Sequence, residues 1–183
     1  LLVFAKGGLV FEGEMLSFSL TRSKVPGELL WDLDGSYYFS NPYPEPVSAN
    51  IAFPVPSSDS VSVAELQDLS LQEPPDSSSV SLLSSSDSGF AFTLTVPAKE
   101  FINLRLRYRQ VLTGKEVTYI LTTANAWGRK LPYSGISLYL EEGLELSELP
   151  FEDARSFEGL IGTSYLWDMV DFAPEKEFVV RIK

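Results

Sequence analysis

Closely spaced carboxylates and arginines are the side chains of this 183-residue chain that could do chemistry. Acids lie next to or near one another at Glu141-Glu142, at Glu152-Asp153 and at Asp168 with Asp171. Glycoside hydrolysis needs only two carboxyl groups flanking a sugar bond, so each pair is a candidate for that reaction. With 25 acidic residues in the chain such neighbours arise freely, and no residue is assigned a catalytic role. Asp32-Leu33-Asp34-Gly35-Ser36 carries the first acids of an oxygen-rich calcium loop but not the third acidic ligand or the distant Glu. Asp34-Gly35 is therefore expected to be a turn, and neither a metal nor a cofactor is expected.

Arg105, Arg107 and Arg109 alternate along one strand face and could form an anion-binding stripe. In a chain of net charge −11 they are expected instead to pair with carboxylates on an adjacent strand or a packed neighbour. Three tryptophans, Trp31, Trp127 and Trp167, could stack against sugar rings. Only Trp127, in the polar Asn125-Ala126-Trp127-Gly128 stretch, is expected to be exposed. Trp127 and the three arginines are the candidate binding residues.

Absences exclude more. The chain has no Cys and no His, which removes thiolate nucleophiles, imidazole bases and the usual zinc sites. No Gly-x-Ser-x-Gly, no Ser three residues before a Lys and no glycine-rich phosphate loop occurs. The acidic balance opposes binding to nucleic acid or to an anionic lipid surface, both of which need a positive field. The leading Leu-Leu-Val-Phe-Ala run falls far short of the ~20 residues that span a bilayer, so a membrane tie would come only from an anchor outside this sequence.

The elements that must position these residues are strands. Val47, Ala49, Ile51 and Phe53 share one face, as do Phe90, Phe92, Leu94 and Val96, and no long helical period competes. Residues 57–88 are rich in serine and carry Pro74-Pro75, which predicts short edge strands joined by polar loops; residues 63–71 could instead hold a helical turn or two. Around Thr113-Gly114 two alternating runs predict a hairpin with Tyr108 opposite Tyr119 and Leu106 opposite Leu121. Residues 151–162 are ambiguous and could hold a short helix. Many short strands at this spacing indicate an all-β antiparallel sandwich.

The chain also echoes itself. Tyr37-Tyr38-Phe39-Ser40-Asn41-Pro42, leading into an alternating strand, recurs as the run from Tyr119 through Asn125 to Leu140. The segment from Val61 recurs from Leu144, and Lys99-Glu100-Phe101 recurs as Lys176-Glu177-Phe178, with Arg105 corresponding to Arg181. The echoes fall in one order, which suggests a duplicated unit: one β-sandwich over 1–112 and a related one over 113–183, or a single sandwich over 9–183.

The Asn-centred turn that closes on Phe53-Pro54-Val55-Pro56 is similar to that of bacterial extracytoplasmic immunoglobulin-like domains, whose early strands run aromatic, Asn, Pro or Gly, then apolar to a final Pro. Residues 172–182 resemble their late Pro-led turn into a last strand, with Glu175 where those domains usually carry Gly. The resemblance implies a periplasmic, surface or secreted sandwich used for spacing or binding, and it brings no catalytic residue. The function expected is a non-enzymatic structural or protein-interaction module of a larger envelope or secreted protein. The alternatives are a carbohydrate-binding module using Trp127 and a carboxylate-dependent glycosidase.

Overall fold

The computed structural model describes residues 2–3 and 8–183, so of the leading apolar run only Leu2 and Val3 are described. In chain order the strands are β1 (Leu2–Val3), β2 (Val10–Arg22), β3 (Leu29–Ser40), β4 (Val47–Pro54), β5 (Glu65–Gln72), β6 (Ser79–Ser86), β7 (Gly89–Val96), β8 (Phe101–Leu112), β9 (Glu116–Tyr119), β10 (Leu131–Glu141), β11 (Arg155–Gly159), β12 (Gly162–Phe172) and β13 (Phe178–Arg181). A short 3₁₀ helix covers Thr122–Trp127. The all-β class expected from the alternation is what forms.

A seven-stranded sheet runs in the order β11-β12-β10-β2-β3-β8-β5. Facing it are a four-stranded sheet, β1-β4-β7-β6, and a two-stranded sheet, β13-β9. Aromatic side chains join the layers. Phe53 of β4 meets Tyr37 of β3 and Tyr108 of β8, and Phe178 of β13 meets Phe18 of β2 and Trp167 of β12. The inward residues of β2, β3, β4, β7, β8 and β10 belong to one continuous buried cluster. At roughly 25 cal/mol per Å² of apolar surface, this burial is the main force holding the layers together.

The pairing departs from the alternation in several places. The sheet is not purely antiparallel, because β2 and β10 pair parallel from Gly13↔Tyr133 to Leu20↔Leu140. The long chain between these strands imposes no hairpin and leaves either direction open. The Thr113-Gly114 hairpin does not form: β8 already carries β3 on one edge and β5 on the other, so no edge remains for β9. The chain instead crosses to the facing layer, where Tyr119 pairs with Phe178. Asp34-Gly35 is not a turn but the middle of β3. A Cβ on Gly35 would lie 2.6 Å from the Tyr37 hydroxyl, so the glycine makes room for a ring folded back over its own strand. Residues 151–162 hold β11 and the turn into β12 rather than a helix.

Residues 63–71 likewise take no helical turn; most of them lie in β5. As expected of the serine-rich region, β5 and β6 are edge strands.

Equivalent pairings recur on either side of residue 113. β3 pairs with β8, β4 with β7 and β6 with β7; later in the chain β9 pairs with β13, β10 with β12 and β11 with β12. The first set places β3-β8 in the seven-stranded sheet and β4-β7-β6 in the facing layer, and the second set reverses this. The seven-stranded sheet therefore draws on both expected units and shows no break at 112/113. Individual residues follow the same correspondence. Asn41 Nδ2 donates to the Pro97 carbonyl at 2.9 Å and Asn125 Nδ2 to the Pro174 carbonyl at 2.8 Å. Gly89 and Gly162 both open their strands at positive φ, and a Cβ on either would stand 2.1 Å from a carbonyl oxygen, of Phe53 and of Leu140 respectively.

Candidate functional site

The outer face of the seven-stranded sheet carries polar and aromatic side chains, and the register fixes their rows. One row runs Ser137, Ser17, Asp34, Arg107, Asp68 across β10, β2, β3, β8 and β5. Beside it lies Gly135, Met15, Ser36, Arg105, Ser70, and beyond that Tyr133, Gly13, Tyr38, Asn103, Gln72. At ~4.8 Å per strand these five strands span about 19 Å.

The three arginines lie on this face and each meets a carboxylate of β3. Arg105 donates to both oxygens of Asp34, at 2.9 and 2.6 Å, and Arg109 to both oxygens of Asp32, at 2.7 and 3.1 Å. Arg107 approaches Asp34 at 3.7 Å, and Asp68 of β5 stands 4.0 Å from Arg105. The hydrogen bond from Arg105 holds the Asp34 carboxyl below its usual range. The stripe is thus compensated internally, and it offers no net field for an anion.

Next to the ion pairs is a groove of about 740 Å³ lined by Met15, Asp34, Ser36, Tyr38, Phe101, Asn103 and Arg105 among others. Tyr38 and Phe101 stack with ring centroids 5.9 Å apart and planes at 16°, and Phe101 is 51% exposed. The Tyr38 hydroxyl reaches Met15 Sδ at 3.5 Å. In the groove lining Asn103 Oδ1 is a buried acceptor with no hydrogen-bond partner. Ser17 and Met15 continue the depression toward β10 and β12, where the Tyr133 ring folds back over Gly135 and its hydroxyl donates to Asp168 at 2.8 Å. Asp168 pushes the Tyr133 hydroxyl's pKa up through that bond.

Trp127 does not join this face. Half-buried, it packs against Phe11 and Phe39 at the end of the core, with centroids 5.5 and 5.6 Å away. Trp31 is fully buried and stacks on Phe18, and Trp167 is buried against Phe178. The paired acids are dispersed. Glu141 accepts the backbone N–H and the guanidinium of Arg22, which lowers its pKa, and Asp168 is held by Arg155 and Tyr133. Glu152 and Asp153 are exposed loop residues. Asp32 and Asp34 sit mid-strand in ion pairs, and among the described residues no cluster of three acids could hold a metal.

Tyr38 and Phe101 escape a search for tryptophan. Their signal is parity: Ser36, Tyr38 and Ser40 fall on the face opposite Tyr37 and Phe39, and Phe101 shares a face with Asn103 and Arg105. Glu14 is a buried acid among the apolar residues of β2. It is in phase with the buried Leu16, Phe18 and Leu20, is only 3% exposed, and accepts from Ser134 Oγ at 3.1 Å. Burial pushes its pKa up to about 7, against the pull of the Ser134 hydrogen bond.

No protein-family model matches the chain, and no curated protein matches it in sequence. Solved structures do match. One is the crystal structure of a "putative nutrient binding protein" from Legionella pneumophila subsp. pneumophila str. Philadelphia 1, with a TM-score of 0.70 at 13% identity, covering 99% of this chain and 68% of that one. At such an identity the likeness establishes a shared fold.

Proposed function

We propose that this chain is a non-enzymatic, extracytoplasmic binding module of a larger envelope or secreted protein, with its ligand seated on the outer face of the seven-stranded sheet. The observation that carries the proposal is the groove beside the stacked Tyr38 and Phe101, an exposed aromatic pair ringed by hydroxyl, amide and ion-paired side chains. The Legionella protein of the same fold bears a name that speaks of nutrient binding, which supports a binding role. In the same reading the fold is an immunoglobulin-like sandwich built from two related units, supported by the matched pairings, asparagines and glycines of its two halves.

Thermal shift against a panel of sugars, amino acids and short peptides tests the binding role, with Ser36→Trp as the variant that fills the groove. A panel member that raises the melting temperature of the parent and not of the variant is the expected result. If no member acts, or if both proteins respond alike, the role fails. Fractionation of cells making the full-length gene product tests the compartment, and recovery in the cytosol would overturn that part.

A protein partner is a second reading, favoured by one observation. At the tip of the β11–β12 hairpin Leu160 is 95% exposed and Ile161 is 73% exposed. Their backbone is held by Tyr139 and Glu142, which both donate to the Ile161 carbonyl. Loss of pull-down by the parent module on changing both residues to Ser supports this reading; unchanged pull-down removes it.

A further inference from the structure

We infer that the ligand of this face is a neutral oligosaccharide chain lying across the strands, an inference that rests on the binding role proposed above. Charge decides first. The chain carries a net charge of −11; Arg105 and Arg109 are already bonded to Asp34 and Asp32, and Arg107 stands 3.7 Å from Asp34. Acidic glycans, phosphates and nucleic acids are repelled at long range and at short range meet arginines that each have an aspartate beside them. A cationic ligand would have to compete with the same ion pairs.

The side-chain set narrows the class further. Bare apolar surface, which a protein interface needs at its centre, is split here between Met15 with the Tyr38–Phe101 stack and, toward the far edge of the sheet, Val170 and Phe157. Around it stand groups that each donate and accept at close spacing: the hydroxyls of Ser17, Ser36 and Ser137 and the amides of Asn103 and Gln72. A sugar presents the matching pattern. Its ring hydroxyls donate and accept at fixed positions, and its axial C–H face is apolar and packs on an aromatic ring.

Shape sets the length. The depressions beside Tyr38, beside Arg107 and Arg109, and beside Tyr133 all include Ser17, so they form one trough running across the strands. Two aromatic surfaces mark it, the Tyr38–Phe101 stack and the Tyr133 ring folded over Gly135. An open trough with two such platforms suits a chain of sugar units better than a single ring.

The test is isothermal titration with neutral hexasaccharides of glucose, xylose and mannose, their monosaccharides, a sulfated oligosaccharide and an extended hexapeptide. At least one neutral hexasaccharide is expected to bind at least tenfold more tightly than its monosaccharide. Phe101→Ala and Tyr133→Ala are each expected to weaken it at least tenfold. Both side chains lie on the outer face, and unchanged melting temperatures verify that the variants fold. Binding of the peptide or the sulfated ligand in place of the neutral chains overturns the sugar assignment while the binding role stands. If nothing in the wider panel binds either, both fail. Neutral-sugar binding that neither substitution weakens also overturns this site.

Discussion

The hydroxyls of Tyr37 and Tyr119 meet at 3.0 Å in the buried centre of the protein, one from each facing layer. Each residue is enclosed in the core, which drives both phenolic pKa values upward. A lone buried hydroxyl is costly, whereas removing both members of a pair need not be. Tyr37→Phe and Tyr119→Phe should each destabilise by about 1–2 kcal/mol, and the double variant by clearly less than their sum. Chemical denaturation of the four proteins checks this; simple additivity would mean that the hydroxyls do not depend on one another.

Glu14 makes stability depend on pH. Its folded-state pKa of about 7 lies above its ordinary value of 4.5 because burial disfavours the carboxylate. Below pH 4.5 the group is protonated in both states and its contribution is intact. As pH rises from 4.5 to 7 the unfolded chain releases the proton while the folded one keeps it, so stability falls, by on the order of 3 kcal/mol in all. Glu14→Gln should remove that slope and gain on the parent progressively up to about pH 7. Denaturation midpoints of both proteins between pH 4 and 8 decide it, and parallel profiles would refute the assignment.

Gly89 and Gly162 should be equally intolerant of a side chain. Both have positive φ, and both would drive a Cβ into a backbone carbonyl that cannot swing aside. Alanine at either position should cost more than about 1 kcal/mol, read as a drop in melting temperature, whereas Gly27→Ala, with open space around it, should cost less than either.

Asn41 and Asn125 make the same tie with unequal weight. Asn41 is buried, and its Nδ2 is shared among the carbonyls of Glu45, Val96 and Pro97 while its Oδ1 accepts the Tyr43 N–H. Asn125 is exposed and donates once, to Pro174. Asn41→Ala should cost about 2–3 kcal/mol and Asn125→Ala about 1 kcal/mol or less. Equal losses in a thermal melt would contradict the difference in burial.

Strand faces were legible in the sequence because parity alone determines them. Ala49, Ile51 and Phe53 are buried, as are Phe90, Phe92, Leu94 and Val96, on the faces the alternation predicts. Strand partners were not legible. The run from Phe101 to Leu112 satisfies its parity against any apolar neighbour, so the register with residues 115–121 looked right although β3 and β5 hold both edges. Which neighbour wins depends on how each layer closes, and no local pattern carries that. The candidate site was half legible. The arginines share the outer sheet face and pair with carboxylates of β3 as their spacing predicts, but Trp127 is half-buried against Phe11 and Phe39, and the aromatic pair on that face, Tyr38 and Phe101, is set only by how β3 and β8 pair.

The parallel pairing of β2 with β10 has a consequence for how the chain acquires its structure. Partners such as Ser17 and Ser137 lie more than a hundred residues apart, so this contact closes a very long loop and must form late. During synthesis β2 can pair with β3 at once, but its other edge stays bare until the ribosome has released residues 131–141. A nascent chain halted before that point exposes the backbone of Met15 to Leu20 to any passing strand, and that unpaired edge is a folding hazard.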